Sequence, residues 1–366
     1  MKQKIDFRTF YNALALKAFK TNETRGRRVS MVSDNDSPFA AVLSPFLVDR
    51  EKIRQGKAYR RLDDKTQVFI DHQENSHVRT RKIHTDEVAS LSAQISSILG
   101  LNVYLAEAIA FGHDLGHSPF GHLGERVISE LSGKTFKHEI MSVVIAQKIE
   151  RSGLGLNLSW ETLEGILHHS RGKNGLQVNS ALPLESTVVM LADKIAYTFS
   201  DLNDAQRCGY FKESDLPAEF FDLGSNQRER WMNCIYALIK ESSEKGAISF
   251  HGSDVAQKFE AIRQWSYANF YSQLDNGGQR QQALAELKSI YQFLESWLTQ
   301  FGYDPFLIMA LLTDREAKKI AAFAKMPTIR DIKMLENFSF MELISRFPKG
   351  HEVDIFNPDL NIEHFS

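Results

Sequence analysis

Histidines and carboxylates are concentrated in a short stretch of this sequence, between His113 and Glu125. These thirteen residues contain three histidines, one aspartate and one glutamate, interrupted by three glycines and a proline. Nine of the twelve histidines in the chain lie between His72 and His169. Imidazole and carboxylate groups bind metal ions and transfer protons, and glycine breaks helices. The stretch therefore predicts a reactive site at a helix break.

Four residues predict a divalent metal site: His84, His113, Asp114 and Asp193. His113 and Asp114 are adjacent at a predicted helix end, and His84 and Asp193 are expected to point inward from two other helices. This nitrogen and oxygen set does not distinguish among manganese, magnesium, iron, cobalt and nickel. Without cysteine ligands, such a site keeps open positions for water and substrate, which favours catalysis over a structural metal. The alternative is a structural network of histidines.

His122 and Glu125 are predicted to form an acid/base pair. They are three residues apart on a predicted helix and are therefore neighbours on its surface. A carboxylate at this position orients and charges the imidazole. A metal lowers the pKa of its bound water and stabilises charge on a phosphoryl oxygen, so the two groups together indicate hydrolysis at phosphorus. The alternative is a His–Glu hydrogen bond with only a structural role.

The elements that position these residues are predicted to be helices. Apolar residues recur every three or four positions, and no strand pattern is evident, so the fold class is all-α. The predicted helices before residue 210 cover residues 44–62, 84–99, 102–115, 120–131, 137–149, 159–169 and 184–204. On the last helix, Asp193, Tyr197 and Asp201 recur every four residues away from the apolar stripe, beside Lys194. This row predicts the wall of a polar cavity.

Length and composition predict a soluble globular protein with an N-terminal arm (1–37), a core (38–210) and a helical C-terminal region (211–366). The C-terminal region, with an apolar stripe between Gln279 and Phe301, is expected to pack on the core or at a subunit interface. No apolar run of the 366-residue chain approaches the roughly 20 residues of a membrane span. The chain shows no export signal and only two cysteines, Cys208 and Cys234, which predicts a cytoplasmic location.

Cations are concentrated between Arg50 and Arg81. The run predicts either a solvated face or phosphate binding. Binding of single-stranded nucleic acid is an alternative, but the net charge of −2 does not support it.

Several segments, in order along the chain, resemble a known family. His84, His113-Asp114 and Asp193 resemble the H…HD…D signature of the HD superfamily of metal-dependent phosphohydrolases. The segments that resemble its dGTPase-like branch, the deoxynucleoside triphosphate triphosphohydrolases, are Ser44–Arg50, Arg60–Leu62, Lys65–Phe69, Arg79–Arg81, His113–Glu125 and Ala192–Tyr197. The similarity covers about residues 38–210. It implies an all-helical HD core with additional C-terminal helices, and hydrolysis of a dNTP, dGTP or several dNTPs, to deoxynucleoside and inorganic tripolyphosphate.

The resemblance also implies roles for single residues. His84, His113, Asp114 and Asp193 would be the metal ligands. His122 and Glu125 would serve the attack of water at the α-phosphorus and proton transfer to the leaving side, with His117 close to the same phosphate. The positions that match substrate contacts are Arg61 and Lys194 at the phosphates, and Gln67, Tyr197 and Asp201 near the sugar.

His138 is expected in the site too, although His138-Glu139 departs from the His-Asn that is usual in the family. Members form homo-oligomers, commonly dimers, tetramers or hexamers. A second enzymatic interpretation is an HD phosphohydrolase that acts on a nucleoside monophosphate or a cyclic nucleotide. The sequence does not specify the preferred base, and a regulatory nucleotide site in the C-terminal region is in doubt.

Overall fold

Helices form the regular structure of this chain, which confirms the all-α prediction. The computed structural model describes residues 6–26, 42–69, 77–170, 182–274, 278–325, 333–347 and 353–360. Across these ranges no strand forms, and an isolated bridge joins Thr66 and Thr80. None of the helices in the described ranges is long and apolar enough to cross a membrane.

In the described part of the chain, eight helices precede residue 210. They are α1 (Pro45–Gln55), α2 (Lys57–Arg61), α3 (Arg81–Leu99), α4 (Val103–Gly112), α5 (His122–Ser132), α6 (His138–Val144, continued by a π-helical turn over Ile145–Ile149), α7 (Trp160–Leu167) and α8 (Leu184–Arg207). The predicted helix over 44–62 is thus two helices. Gly56 separates them in an extended conformation, and the Glu150 carboxylate accepts a hydrogen bond from the amide of Ala58 just after the break.

Among the described residues after position 210 there are nine further helices. They are α9 (Ala218–Asp222), α10 (Gln227–Lys245), α11 (Asp254–Ser266, followed by a π-helical turn over Tyr267–Tyr271), α12 (Ser272–Leu274), α13 (Gly278–Leu298), α14 (Pro305–Leu311), α15 (Asp314–Ala324), α16 (Lys333–Glu336) and α17 (Met341–Ile344).

The central layer of the fold is made by α3, α4 and α8, which pack against one another, with α1 packed on α4. Their buried apolar side chains form one continuous core, in which Val88, Leu105 and Leu191 are fully buried. Burial of each such side chain contributes roughly 1.5–3 kcal/mol. Since α3, α8 and the end of α4 carry the predicted metal ligands, this packing fixes their relative positions.

The C-terminal helices pack directly on this layer. Helix α10 contacts α3 and α8, and α13 contacts α5, α14 and α15. Leu287 and Leu294, on the apolar stripe of α13, are fully buried within the chain. These side chains of the stripe therefore pack within the chain, while a subunit interface in this region stays a prediction.

The described part of the N-terminal segment also contacts the core. Residues 6–26 contain three short 3-10 turns, and the amide of Phe19 donates to the buried carboxylate of Glu185 at 3.0 Å. Thr24 donates to Glu161 at 2.7 Å. The expected boundary between arm and core at residue 38 lies outside the described residues.

Much of the charge in the basic run is neutralised inside the chain. The pairs are Arg50 with Glu107, Arg61 with Glu316, Arg79 with Asp204 and Arg81 with Asp114. The run is therefore not one continuous basic surface of the kind that nucleic acid binds.

The Arg61–Glu316 ion pair gives a stability prediction. Its Nη2 and Oε2 atoms are 2.6 Å apart, and both side chains are nearly buried. Glu316→Gln leaves the guanidinium without a buried counter-charge, so we expect the free energy of unfolding at pH 7 to fall by about 3 kcal/mol. Urea unfolding measures this loss. Glu342→Gln is the matched control, because Glu342 pairs with Lys57 while 67% exposed, and a change within about 0.5 kcal/mol is expected.

The Arg61–Glu316 pair also determines the direction in which protein stability changes with pH. Burial would raise the pKa of Glu316, but the Arg61 guanidinium and further hydrogen bonds hold it at about 2. The stabilisation is therefore fully present above the unfolded-state value of about 4.5 and declines as the pH falls toward 2. The difference between wild type and Glu316→Gln should shrink between pH 4.5 and pH 2.5, and a difference that stays constant would contradict the ion-pair assignment.

Candidate metal centre and active-site cavity

The four predicted metal ligands are brought together by three elements. His84 lies in the first turn of α3, His113 is the C-cap of α4 with Asp114 following it, and Asp193 lies in the first half of α8. Asp193 Oδ1 is 3.0 Å from His84 Nε2 and 4.0 Å from His113 Nε2. Asp114 Oδ1 is 3.3 Å from His113 Nε2. His84, His113 and Asp114 thus form a group compact enough to hold a metal ion, and Asp193 adjoins it through His84 and His113.

The protonation of His113 fits a metal ligand. Its Nδ1 lies 2.6 Å from the carbonyl oxygen of Ala110 and donates to it. Its Nε2 is then the unprotonated atom, and it is buried without a hydrogen-bond partner among the described residues. An unpaired buried acceptor costs roughly 1–3 kcal/mol, which a bound cation offsets. The donor set therefore fits a divalent metal.

The carboxylates of this group are held in their charged form. Burial would raise the pKa of Asp193, but the hydrogen bond and charge of His84 lower it to about 2. Burial would likewise raise the pKa of Asp114, and the nearby His113, His117 and Arg81 hold it well below its usual value. Arg81 Nη1 donates to Asp114 Oδ2 at 2.9 Å and fixes its orientation.

A second cluster is centred on Glu125 in the first turn of α5. Its Oε1 atom is 3.2 Å from Nδ1 of His122, 2.9 Å from Nδ1 of His138 and 3.1 Å from Nδ1 of His117. The first two contacts are hydrogen bonds, while the contact with His117 is close but not aligned as one. The predicted pairing of His122 with Glu125 is present, and Glu125 serves two further imidazoles.

The imidazoles of this cluster differ in their charge. Burial would lower the pKa of His138, but Glu125 and two other carboxylates raise it to about 9. Burial, with the charges of Arg81 and His138, lowers the pKa of His117 to about 3. The two rings stack with centroids 3.8 Å apart. His122 is 74% exposed on the cavity side, so it is the member that reaches solvent or substrate.

The two clusters are in contact. His117 Nε2 lies 3.1 Å from Asp114 Oδ1, while His117 Nδ1 faces Glu125. His117 therefore links the predicted metal centre to the predicted acid/base group.

Close approaches of the backbone shape the loop between the clusters. A side chain at Gly116 would collide with the backbone of His138 and Ser142, so the loop passes α6 only with glycine there. Phe120 and Gly121 both have φ of +59°, a left-handed conformation, and bring the chain into α5 at His122. The helix break that the glycines and proline predicted is this turn.

A cavity of about 460 Å³ opens over both clusters. Its volume lies within the roughly 300–1,000 Å³ range of small-molecule sites. Residues that line it are Gln67, Val68, Arg81, His84, Asp114, His117, Phe120, His122, His138, His169, Ser170, Asp193, Lys194, Tyr197, Asp201, Tyr267, Tyr271, Ser272 and Arg280. The row of Asp193, Tyr197 and Asp201 on α8 is thus one wall of a polar cavity.

Residues of the C-terminal region line the cavity next to this wall. Tyr271 in the π-helical turn after α11 donates from its hydroxyl to Asp201 Oδ2 at 2.6 Å, and the Tyr267 hydroxyl is 3.3 Å from that of Tyr197. Burial raises the pKa of Asp201 to about 7 despite the bond from Tyr271. Localised π-helical turns are frequent at functional sites because they re-aim side chains.

Arg61 is the predicted substrate contact that the structure does not bring to the cavity. Its guanidinium binds Glu316, Ser339 and the carbonyl oxygen of Leu311. These partners lie about 250 residues further along the chain and occupy the guanidinium, so in this structure Arg61 has a structural contact in place of the predicted phosphate contact.

Three other predicted substrate contacts, Gln67, His138 and Lys194, line the cavity. The side-chain oxygen of Gln67 is buried without a hydrogen-bond partner among the described residues.

Sequence reasoning missed two cavity residues that belong to the clusters. His169 Nδ1 donates to the carbonyl oxygen of Ile166, and its Nε2 lies 3.3 Å from His138 Nε2. The sequence feature that could have indicated His169 is the adjacent pair His168-His169, directly after α7. Arg81 had a signal in its position three residues before His84, which places both on one face of α3.

Comparison with known proteins adds independent information. The family model of the HD domain matches residues 81–198. A "Deoxyguanosinetriphosphate triphosphohydrolase-like protein" of Clostridium tetani (strain Massachusetts / E88) is 44% identical over 227 residues, which cover 62% of each chain. A protein of the same name from Clostridium perfringens (strain SM101 / Type A) is 43% identical, and the match covers 62% of this chain and 67% of the relative. Another from Caldanaerobacter subterraneus subsp. tengcongensis is 40% identical, and the match covers 65% of this chain and 67% of the relative. The chain thus spans about two thirds of the length of these relatives.

Proposed function

Since the chain belongs to the deoxyguanosinetriphosphate triphosphohydrolase-like family of HD-domain proteins, we propose that it hydrolyses deoxynucleoside triphosphates to deoxynucleoside and tripolyphosphate. The observation that carries the proposal is the shared cavity. Three of the four predicted metal ligands (His84, Asp114 and Asp193), the imidazoles around Glu125 and the tyrosine and aspartate wall line one cavity of about 460 Å³.

The reaction adds one water molecule across the bond between the α-phosphorus and O5′. The water oxygen bonds to phosphorus, the P–O5′ bond breaks, and O5′ leaves as a hydroxyl after it takes a proton. We assign delivery of this proton to His122, since its ring is exposed to the cavity and Glu125 Oε1, 3.2 Å from its Nδ1, holds it in place. The proton that the water loses enters the same histidine and glutamate cluster, which therefore regains its starting charge.

His84, His113, Asp114 and Asp193 would hold the divalent metal, which supplies Lewis-acid stabilisation of charge on the phosphoryl oxygens and a more acidic water. His117, neutral between Asp114 and Glu125, would lie beside the same phosphate. Lys194, next to Asp193 on α8 but turned by about 100°, would reach the outer phosphates.

The far end of the cavity suits a deoxyribose. Gln67, Tyr197 and Asp201 line it, and these groups offer hydrogen bonds to a 3′-hydroxyl while the tyrosine ring limits the room for a 2′-hydroxyl. We keep the cytoplasmic location and a homo-oligomer as parts of this proposal. The location rests on two cysteines that form no disulfide, and the homo-oligomer rests on the family resemblance. Light scattering after gel filtration tests the oligomeric state.

Product analysis tests the proposal. Metal-loaded protein is incubated with each dNTP, separately and mixed, and the products are separated by anion exchange. Deoxynucleoside with intact tripolyphosphate is the expected result. Release of monophosphate or diphosphate would identify another reaction, and no product from any dNTP would direct the search to nucleoside monophosphates, cyclic nucleotides and single-stranded DNA.

Lys194→Met is expected to raise KM for the dNTP by about tenfold or more, because a charge-assisted hydrogen bond to phosphate contributes roughly 1.5–3 kcal/mol. Steady-state kinetics on the best dNTP measures it. Lys240→Met, at an exposed lysine on α10, is the control and should leave KM unchanged. An unchanged KM in Lys194→Met would remove this lysine from the phosphate contacts.

A further inference from the structure

The first turn of α15 contacts the loop that carries the predicted catalytic residues. Asp314, the first residue of this helix, is fully buried. Its Oδ1 accepts a hydrogen bond from the amide of Phe120 at 2.8 Å, and its Oδ2 accepts one from the amide of Thr66 at 2.8 Å and one from the Thr66 hydroxyl. One carboxylate from the C-terminal region therefore joins two segments of the core.

The contact with Phe120 lies at a strained position. Phe120 has φ of +59°, a conformation that costs a non-glycine residue on the order of 1–3 kcal/mol and persists only where its surroundings enforce it. Phe120 lies between His117 and His122, whose imidazoles both face Glu125. The turn at Phe120 decides how these two rings approach the same carboxylate.

The contact with Thr66 holds a neighbouring segment beside the Phe120 turn. Thr66 precedes Gln67, and the carbonyl oxygens of both residues accept hydrogen bonds from the guanidinium of Arg81. Arg81 in turn binds Asp114. Through Thr66, Asp314 is thus connected to a predicted substrate contact and to the metal ligand group.

The base of this connection is rigid. Thr313 and Glu316 form a reciprocal capping box at the start of α15, and Glu316 is held by Arg61. A carboxylate in the first turn of a helix is also favoured by the helix dipole. Asp314 therefore has a fixed position from which it can hold the Phe120 loop in place.

We propose that Asp314 is a positioning residue of the active site, which holds the Phe120 turn and the Thr66–Gln67 segment so that His117 and His122 meet Glu125 in register. The proposal rests on the proposed function, and it makes the C-terminal helical region a part of the catalytic apparatus. Among the described residues, those that line the cavity do not include Asp314.

Asp314→Asn tests this role. The amide keeps the shape of the carboxylate but turns an NH₂ group toward one of the two backbone amides, so one hydrogen bond is lost whichever way it points. Misplacement of catalytic groups by about 1 Å can cost on the order of 100-fold in rate, and we expect kcat to fall 10- to 100-fold with KM within about threefold of wild type. Metal content should be unchanged.

Hydrogen exchange is the second readout and needs no substrate. Amides in peptides that span residues 115–125 should exchange faster in Asp314→Asn, while peptides from α3 and α8 keep wild-type protection. Asp304→Asn is the matched control, because Asp304 caps the neighbouring α14 and asparagine caps as well as aspartate. Neither kcat nor exchange should change in it.

If Asp314→Asn does not fold, Thr66→Val removes one donor to the same carboxylate and should give a smaller fall in kcat with faster exchange of the Thr66–Gln67 segment.

Three outcomes would overturn the proposal. They are a folded Asp314→Asn with kcat within threefold of wild type, a loss of activity that follows a loss of metal, and a fall in kcat without faster exchange at residues 115–125. If the wild type hydrolyses no dNTP, the proposed function fails by itself. Turnover of bis(p-nitrophenyl) phosphate and the exchange experiment then still decide the role of Asp314.

Discussion

Asp193→Asn is expected to yield a folded protein that retains less than one tenth of the wild-type metal and loses on the order of 10³-fold or more in kcat/KM. Asp193 Oδ1 is the oxygen nearest to His84 Nε2, at 3.0 Å, and lies 4.0 Å from His113 Nε2. An amide oxygen in its place is a weaker, uncharged ligand. Metal stabilisation of a phosphoryl transition state is worth several kcal/mol, and each 1.36 kcal/mol corresponds to tenfold in rate.

The measurement is metal content by mass spectrometry after gel filtration, together with kcat/KM on the best dNTP. Asp204→Asn is the control on the same helix, since Asp204 is also buried and charged but binds Arg79 and Arg207 away from the cavity. It should lower the unfolding temperature and leave metal content as in wild type. Full metal loading of Asp193→Asn with normal turnover would contradict the ligand assignment.

The helices and the ligand group were accessible from sequence because their signals are local. His84 and Val88 are one turn apart on α3, and Asp193, Tyr197 and Asp201 repeat every four residues on α8, so helical spacing alone assigns their faces. Because α3 and α8 both pack on α4, the place where their inward-facing polar groups meet is closely constrained.

The contacts that sequence could not predict join distant parts of the chain. Arg61 matches a phosphate-binding position, but Glu316 and Ser339, more than 250 residues later, decide where its guanidinium points. Asp314 has only the local pattern of a helix start, and nothing in it indicates Phe120 as a partner. The Tyr271–Asp201 hydrogen bond depends on a π-helical turn that apolar periodicity does not reveal.

Glu125→Ala is expected to keep its metal and to lose on the order of 10²- to 10⁴-fold in kcat, the range for general acid–base catalysis. The carboxylate contacts Nδ1 of three imidazoles and is separated from the ligand group by His117. Its removal therefore leaves the four predicted ligands in place but takes away the carboxylate that binds Nδ1 of His122 and orients its ring toward O5′. Steady-state kinetics and metal analysis on the same preparation measure both expectations.

Glu130→Ala supplies the comparison on the same helix, because Glu130 is about half exposed and pairs only with Lys288 on the surface. It should match wild type in rate and metal. If Glu125→Ala fails to fold while Glu130→Ala folds, the His–Glu contacts are structural and the catalytic assignment is wrong. Glu125→Gln, which keeps the shape and one acceptor, should then fold and retain most of the activity.

The double variant that combines Glu125→Ala with His122→Ala tests whether Glu125 and His122 act as a pair or independently. If Glu125 acts through His122, the double variant should lose little more rate than His122→Ala alone, since residues that act as a unit are strongly non-additive. A loss equal to the product of the two single losses would mean that Glu125 acts through His117 or His138. The proton for O5′ would then come from the buried side of the cluster, where His138 is the imidazole whose pKa Glu125 raises to about 9.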